Sequence, residues 1–191
     1  MIKPLGQILD DHRDAVEKTF VPEHVAVLEK VAKEILRAFR SGNKLLLCGN
    51  GGSAADSQHI AAEFIARFKL ERRSLPAIAL TTDSSILTAL ANDYNYEVVF
   101  ARQVEGLGQK GDILIGISTS GNSKNVLLAM EKAKAQGLVT IAFTGRSGGQ
   151  MKKFADICFC AQSDKTPHIQ EMHITCLHAV SEVVEATLFG S

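Results

Sequence analysis

LLLCGNGGSAADS (residues 45–57) and ILIGISTSGNSKN (113–125) share one pattern: an unbroken apolar run, a turn of Gly, Ser and Asn, and the start of a helix. An apolar run with no polar alternation predicts a strand buried on both faces, the mark of a parallel sheet covered by helices. The turn that follows lies at the carboxyl end of its strand, where open α/β sheets bind ligands. Recurrence of the strand–loop–helix unit is enough to explain the echo.

Working outward, further strands are expected over 77–80, 138–144 and 156–160, with the two quoted ones beginning at 44 and 112. Helices are expected over 5–20, 23–41, 54–69, 85–90, 98–107, 123–136 and 167–188, with a short one at 149–154. The second helix breaks from the first near Val21-Pro22 and stops at Ser41-Gly42. Five short strands alternating with helices argue for an α/β fold with helices on both faces of a parallel sheet. No linker or low-complexity tract interrupts residues 1–191, so one domain is expected.

Composition narrows the function. Lys and Arg total 21, Asp and Glu total 21, and the formal net charge is zero. Such a chain has no field to draw in nucleic acid, so a bound anion must be held by local geometry. The apolar runs are too short to span a membrane, and Met1–Pro4 does not open a signal peptide. The expected location is the cytoplasm. Cys48, Cys158, Cys160 and Cys176 form neither a CxxC redox motif nor a zinc-knuckle spacing, and read as small buried thiols.

Four constellations could carry chemistry. Ser118, Thr119, Ser120 and Ser123 place four hydroxyls at a helix start, after a buried strand. Backbone N–H groups and the positive end of the helix dipole suit a phosphate there. The loop is neither GxxxxGK[ST] nor GxGxxG. An ordinary Ser-capped turn is the bland alternative. The loop Gly49-Asn50-Gly51-Gly52-Ser53 offers close backbone approach, and Asn50 and Ser53 offer hydrogen bonds suited to sugar hydroxyls.

His59 and Glu63, spaced i, i+4, share a helix face, and Arg67 follows four residues later as an anion partner. The last helix carries Gln170, Glu171, His173, His178 and Glu182. His178 lies beside an apolar face, where Glu182 could orient its imidazole. Glu171 and His173 are expected to face solvent or an adjacent subunit. A carboxylate and an imidazole suffice to move a proton beside a carbonyl and to steady an enediolate, with no organic cofactor. His59, Glu63, Gln170 and His178 would equally make a ligand set for zinc, although a carboxylate held tightly by metal is a poorer base.

CGNGGSAADSQHIAAEF (48–64), LTTDSSILTALANDY (80–94), GISTSGNSKN (116–125) and IQEMHITCLH (169–178) together resemble the phosphoheptose isomerase family of sugar-isomerase (SIS) domains, in order and spacing, over nearly the whole chain. The resemblance implies a flavodoxin-like doubly wound, five-stranded sheet. It also implies an N-terminal helical extension (1–41) at an oligomer interface and a core over 42–191. The family's homotetramer has its sites between subunits, and its reaction converts D-sedoheptulose 7-phosphate to D-glycero-D-manno-heptose 7-phosphate for surface polysaccharide. By this resemblance Glu63 is the general base and His178 the general acid, and His59, Glu63, Gln170 and His178 bind zinc. Asn50, Gly51, Gly52, Ser53, Glu63, Asn92, Asp93, Ser118, Thr119, Ser120, Ser123 and Gln170 contact substrate, with Arg67 added. Pro167 departs from members that carry an acidic residue there.

The strongest rival is a non-catalytic tetrameric regulator of the same fold that binds the replication-initiator protein. Such regulators lack the carboxylate and imidazole that Glu63 and His178 supply. A sugar-phosphate-sensing module would likewise need the loops and no acid–base pair.

Overall fold

The apolar runs become the strands of one parallel sheet because their side chains are buried on both faces. β1 (Leu45–Gly49) and β3 (Ile113–Ser118) are buried at every position. β2 (Ala77–Ala79), β4 (Val139–Gly145) and β5 (Ile157–Ala161) complete a sheet of order β2-β1-β3-β4-β5, every pair parallel. The computed structural model describes residues 4–190. Met1–Lys3, part of the stretch read for targeting, lie outside the described residues.

Strand alternation divides the core in two. Leu45, Leu47, Ile113, Ile115, Ile141, Phe143 and Phe159 point to one face, against α2 (Pro22–Arg40), α3 (Gly52–Ile65) and α7 (Thr166–Phe189). Leu46, Cys48, Leu114 and Ala142 point to the other, against α5 (Val99–Leu107) and α6 (Lys124–Ala135). Burying each large side chain stabilises the fold by about 2 kcal/mol. The remaining α-helices are α1 (Leu5–Thr19) and α4 (Ser84–Asp93), with short 3-10 helices at Tyr96–Val98 and Gln150–Lys153. Asp83 caps α4, accepting from Ile86 N–H at 2.9 Å. None of the described helices is long and apolar enough to cross a membrane.

The chain steps from β1 outward to β2, then returns to place β3 on the other side of β1. That reversal is the topological switch point of a doubly wound sheet, and it brings the loops after β1 and β3 side by side. Their adjacency is fixed by a reciprocal amide pair: Asn50 Nδ2 donates to Asn125 Oδ1 and Asn125 Nδ2 to Asn50 Oδ1, each at 2.9 Å.

The expected elements all form, with end shifts of a residue or two in most. The main exception is α3, which stops at Ile65 rather than running to 69. Arg72 reaches back and donates to the carbonyls of Glu63, Phe64 and Ala66 at 2.8, 2.7 and 3.2 Å, which satisfies the exposed end of the helix. Cysteine burial is also mixed. Cys48 and Cys176 are buried, and burial pushes both thiols up to about 12. Cys158 and Cys160 are only half-buried, with their Sγ atoms 3.6 Å apart at the sheet edge.

Candidate active site

α3 leaves the β1 loop and α7 runs alongside it, so residues far apart in sequence meet between the two helices. His59 Nε2 stands 3.0 Å from Glu63 Oε1 and 3.2 Å from His178 Nε2. The two imidazoles pack edge to face at 4.8 Å, and the ring of Phe68 closes over His178 at 5.8 Å. All of this happens within one chain. The meeting of these groups across subunits, expected from the sequence, is not required to assemble the cluster.

One ring nitrogen of His59 cannot donate its single proton to both a carboxylate and a second imidazole. The three ligand atoms lie within 4.8 Å of one another, and two nitrogens with one oxygen is a donor set that suits zinc. The cluster therefore fits the metal expected from the sequence, through three of the four residues named for it. Gln170 is elsewhere. Its side chain covers Gly52, where an added Cβ would sit 2.5 Å from Gln170 Nε2, so only glycine lets the amide lie there. From Gln170 to His178 is eight residues, about 12 Å of helix.

Asp56, one turn before His59 on α3, drew no notice in the sequence. It is half-buried, its Oδ2 has no hydrogen-bond partner, and burial pushes its carboxyl up to about 6 against the opposing pull of His59. The only sequence signal was a carboxylate inside an Ala-rich helix. Asn125, which locks the two loops together, was also passed over.

The serine loop is organised from within. Ser118 Oγ lies 2.8 Å from Ser123 Oγ and 3.3 Å from Ser120 Oγ. Ser123 occupies the N-cap position of α6 yet makes no side-chain cap bond there, so the capped-turn alternative does not describe it. Gly121 (φ 65°) turns the loop against a second turn. An added Cβ there would come within 2.3 Å of Gly148 O. Thr119 and Ser120 line a cleft of about 230 Å³ with Arg146, Ser163 and Asp164. Ser123 faces a second cleft, of about 390 Å³, with Asn50, Tyr96 and Lys124.

The other residues singled out in the sequence lie in varied surroundings, and those of Glu182 and His173 differ from expectation. Arg67 lies beyond the end of α3, exposed and paired with Glu71 at 3.3 Å. Glu182 is bonded to Lys69 at 2.6 Å and does not orient His178. His173 is fully buried and bonds Thr144 O at 2.9 Å, because this face of α7 lies on β4. Burial pushes its imidazole down to about 4, despite that bond. Glu171 does face outward, where it meets His12 of α1. Ser53 is buried at the start of α3, while Gly51 and Gly52 are exposed. Asn92 and Asp93 are exposed at the end of α4 and bonded to each other at 2.9 Å.

The SIS domain family matches residues 10–145. The phosphoheptose isomerase of Roseiflexus sp. is 56% identical over 174 residues, covering 91% of this chain and 88% of that one. That of Akkermansia muciniphila is 55% identical over 163 residues, covering 85% and 86%. The chain belongs to the phosphoheptose isomerase family. The solved phosphoheptose isomerase of Neisseria gonorrhoeae superposes with a TM-score of 0.88 at 38% identity, over 95% of this chain and 97% of that one. The two chains thus share one fold over nearly their whole length.

Proposed function

We propose that this chain is a sugar-phosphate isomerase that interconverts D-sedoheptulose 7-phosphate and D-glycero-D-manno-heptose 7-phosphate. The observation that carries the reading is the convergence of His59, Glu63 and His178 between α3 and α7, in a chain of this family. Isomerisation breaks the C–H bond at C1 of the ketose and leaves the electron pair in an enediolate. The proton returns at C2, and the oxygens exchange theirs. Glu63 receives the carbon-bound proton. Its Oε1 is engaged by His59, while its Oε2 makes no hydrogen bond among the described residues and is the basic atom. With its Nε2 turned to His59, His178 donates from Nδ1 to the oxygen that gains charge. Ser118, Thr119, Ser120 and Ser123 hold the phosphate at the start of α6, and the turn of Asn50, Gly51, Gly52 and Ser53 binds the sugar, with Asn92, Asp93 and Arg67 as further contacts.

His59, Glu63 and His178 would hold one zinc ion, which when bound supplies Lewis-acid stabilisation of the enediolate oxygen. Gln170, fourth in the family's set, would reach such a cluster only from a second copy of the chain. A ligand supplied by a second copy would need an oligomer, and we read the chain as a cytoplasmic homotetramer with residues 1–41 at its interface. The test is to mix zinc-replete protein with sedoheptulose 7-phosphate and follow a new aldose phosphate by NMR. Glu63→Gln and His178→Gln should each abolish product while the fold survives. Absence of product from folded wild-type protein would overturn the reading in favour of a non-catalytic regulator.

A further inference from the structure

A second cluster of metal-binding groups lies apart from the first, where α1 crosses the start of α7. His168 and Glu171 are spaced i, i+3 on α7 and so share a face, and His12 comes from α1. Ligand atoms of the three residues lie within 4.8 Å of one another. The rings of His12 and His168 stack at 5.5 Å with a tilt of 33°.

Two details set this group apart from an ordinary ion pair. His168 is buried, 6% exposed, and its Nδ1 has no hydrogen-bond partner. His12 Nδ1 lies 2.7 Å from Glu171 Oε2, in a direction that gives no hydrogen bond. A buried ring nitrogen without a partner is costly, and native structures rarely keep one without an occupant for its lone pair. Ligand atoms of two imidazoles and one carboxylate are thus gathered where α1 meets α7.

We propose that His12, His168 and Glu171 form a second divalent-cation site that ties α1 to α7. Two imidazoles and one carboxylate favour zinc over calcium or magnesium, which take oxygen-rich sets. Nitrogen–metal distances of about 2.0 Å would draw the three side chains slightly inward, and solvent would supply the fourth ligand beside the exposed Glu171. The tie has a structural purpose. Ala15 and Thr19 are the buried residues of α1, while Leu5 and Leu9 are 78% and 64% exposed, so apolar burial alone anchors this helix weakly.

The test counts metal in the full-length protein, with folding checked by circular dichroism. After equilibration with zinc and removal of free ion, wild type should carry two equivalents per chain by mass spectrometry of the metal. His12→Ala and His168→Ala should each carry one, and His59→Ala should also carry one. His59→Ala/His178→Ala loaded with cobalt(II) should keep the visible absorption of a four-coordinate ion, and adding His12→Ala should abolish it. His12→Ala should retain isomerase turnover within about twofold, since it touches none of the proposed catalytic groups. One equivalent in wild type, lost with His59→Ala and kept with His12→Ala, would overturn this site and leave the isomerase reading standing. Two equivalents in a protein that turns over no sugar phosphate would do the reverse.

Discussion

Arg72 and Glu185 form a buried ion pair, Nε to Oε1 at 2.9 Å, with the two side chains 1% and 2% exposed. Glu185 also accepts the backbone N–H groups of Phe68, Lys69 and Leu70 at 2.9, 2.6 and 2.9 Å. Arg72 gives its other donors to the carbonyls of Glu63, Phe64 and Ala66 at the end of α3 and to Arg73 O. The pair therefore ends the helix that carries His59 and Glu63, and it pins the turn that sets Phe68 over His178. Removing one partner strands a buried charge. Glu185→Ala should destabilise the protein by about 3–5 kcal/mol, read by urea unfolding with an unchanged m-value. A loss below about 1 kcal/mol would mean that the turn holds without the pair.

The same carboxylate sets an acid limit. Burial alone would raise the Glu185 carboxyl, but the N–H groups of Lys69, Phe68 and Leu70, with the Arg72 guanidinium, outweigh it and bring it down to about 2 from 4.5. Between those values the unfolded chain binds the proton and the folded chain does not. Stability from this group is full above pH 4.5 and is lost as pH falls towards 2, by about 3 kcal/mol in all. Glu185→Gln should be less stable at neutral pH, yet should show a flatter decline between pH 4.5 and 2. Parallel acid curves for the two proteins would contradict this assignment.

Why some of this could be read from the sequence and some could not comes down to distance along the chain. β1 and β3 announce themselves because burial on both faces leaves no polar residue in LLLCG or ILIGIS, and their glycine- and serine-rich turns must then fall at the carboxyl ends. His59 and Glu63 share a helix face by spacing alone. The end of α3 could not be read, because the residue that caps it, Arg72, lies beyond the helix and is itself held by Glu185. Nor could the fate of the histidines of α7. The spacing sets His178 beside an apolar face and His173 towards solvent, but the packing of α7 on β4 buries His173, while α3 receives His178. His12 and His168 are matched only when α1 folds back over α7.

Glu182 tests that point directly. Its partner is Lys69 at 2.6 Å, with side chains 50% and 59% exposed, and exposed pairs contribute at most about 1 kcal/mol. Glu182→Gln should leave isomerase kcat/KM within about twofold of wild type and shift stability by less than about 1 kcal/mol. A large fall in kcat with an altered pH profile would restore Glu182 as the group that orients His178.

Ser123 separates two roles that one residue type can play at the start of a helix. A capping serine bonds a helix N–H, and its loss costs about 1 kcal/mol of stability. Ser123 instead lies 2.8 Å from Ser118 Oγ and makes no cap bond in α6, so its hydroxyl is held for something outside the helix. If that is the substrate phosphate, Ser123→Ala removes a hydrogen bond to a charged group, worth about 1.5–3 kcal/mol in binding. Steady-state assay should then show KM for the sugar phosphate raised by about tenfold or more, with thermal unfolding nearly unchanged. The opposite pattern, lower stability with KM intact, would make Ser123 a structural residue and move the phosphate seat to Thr119 and Ser120, which line the neighbouring cleft.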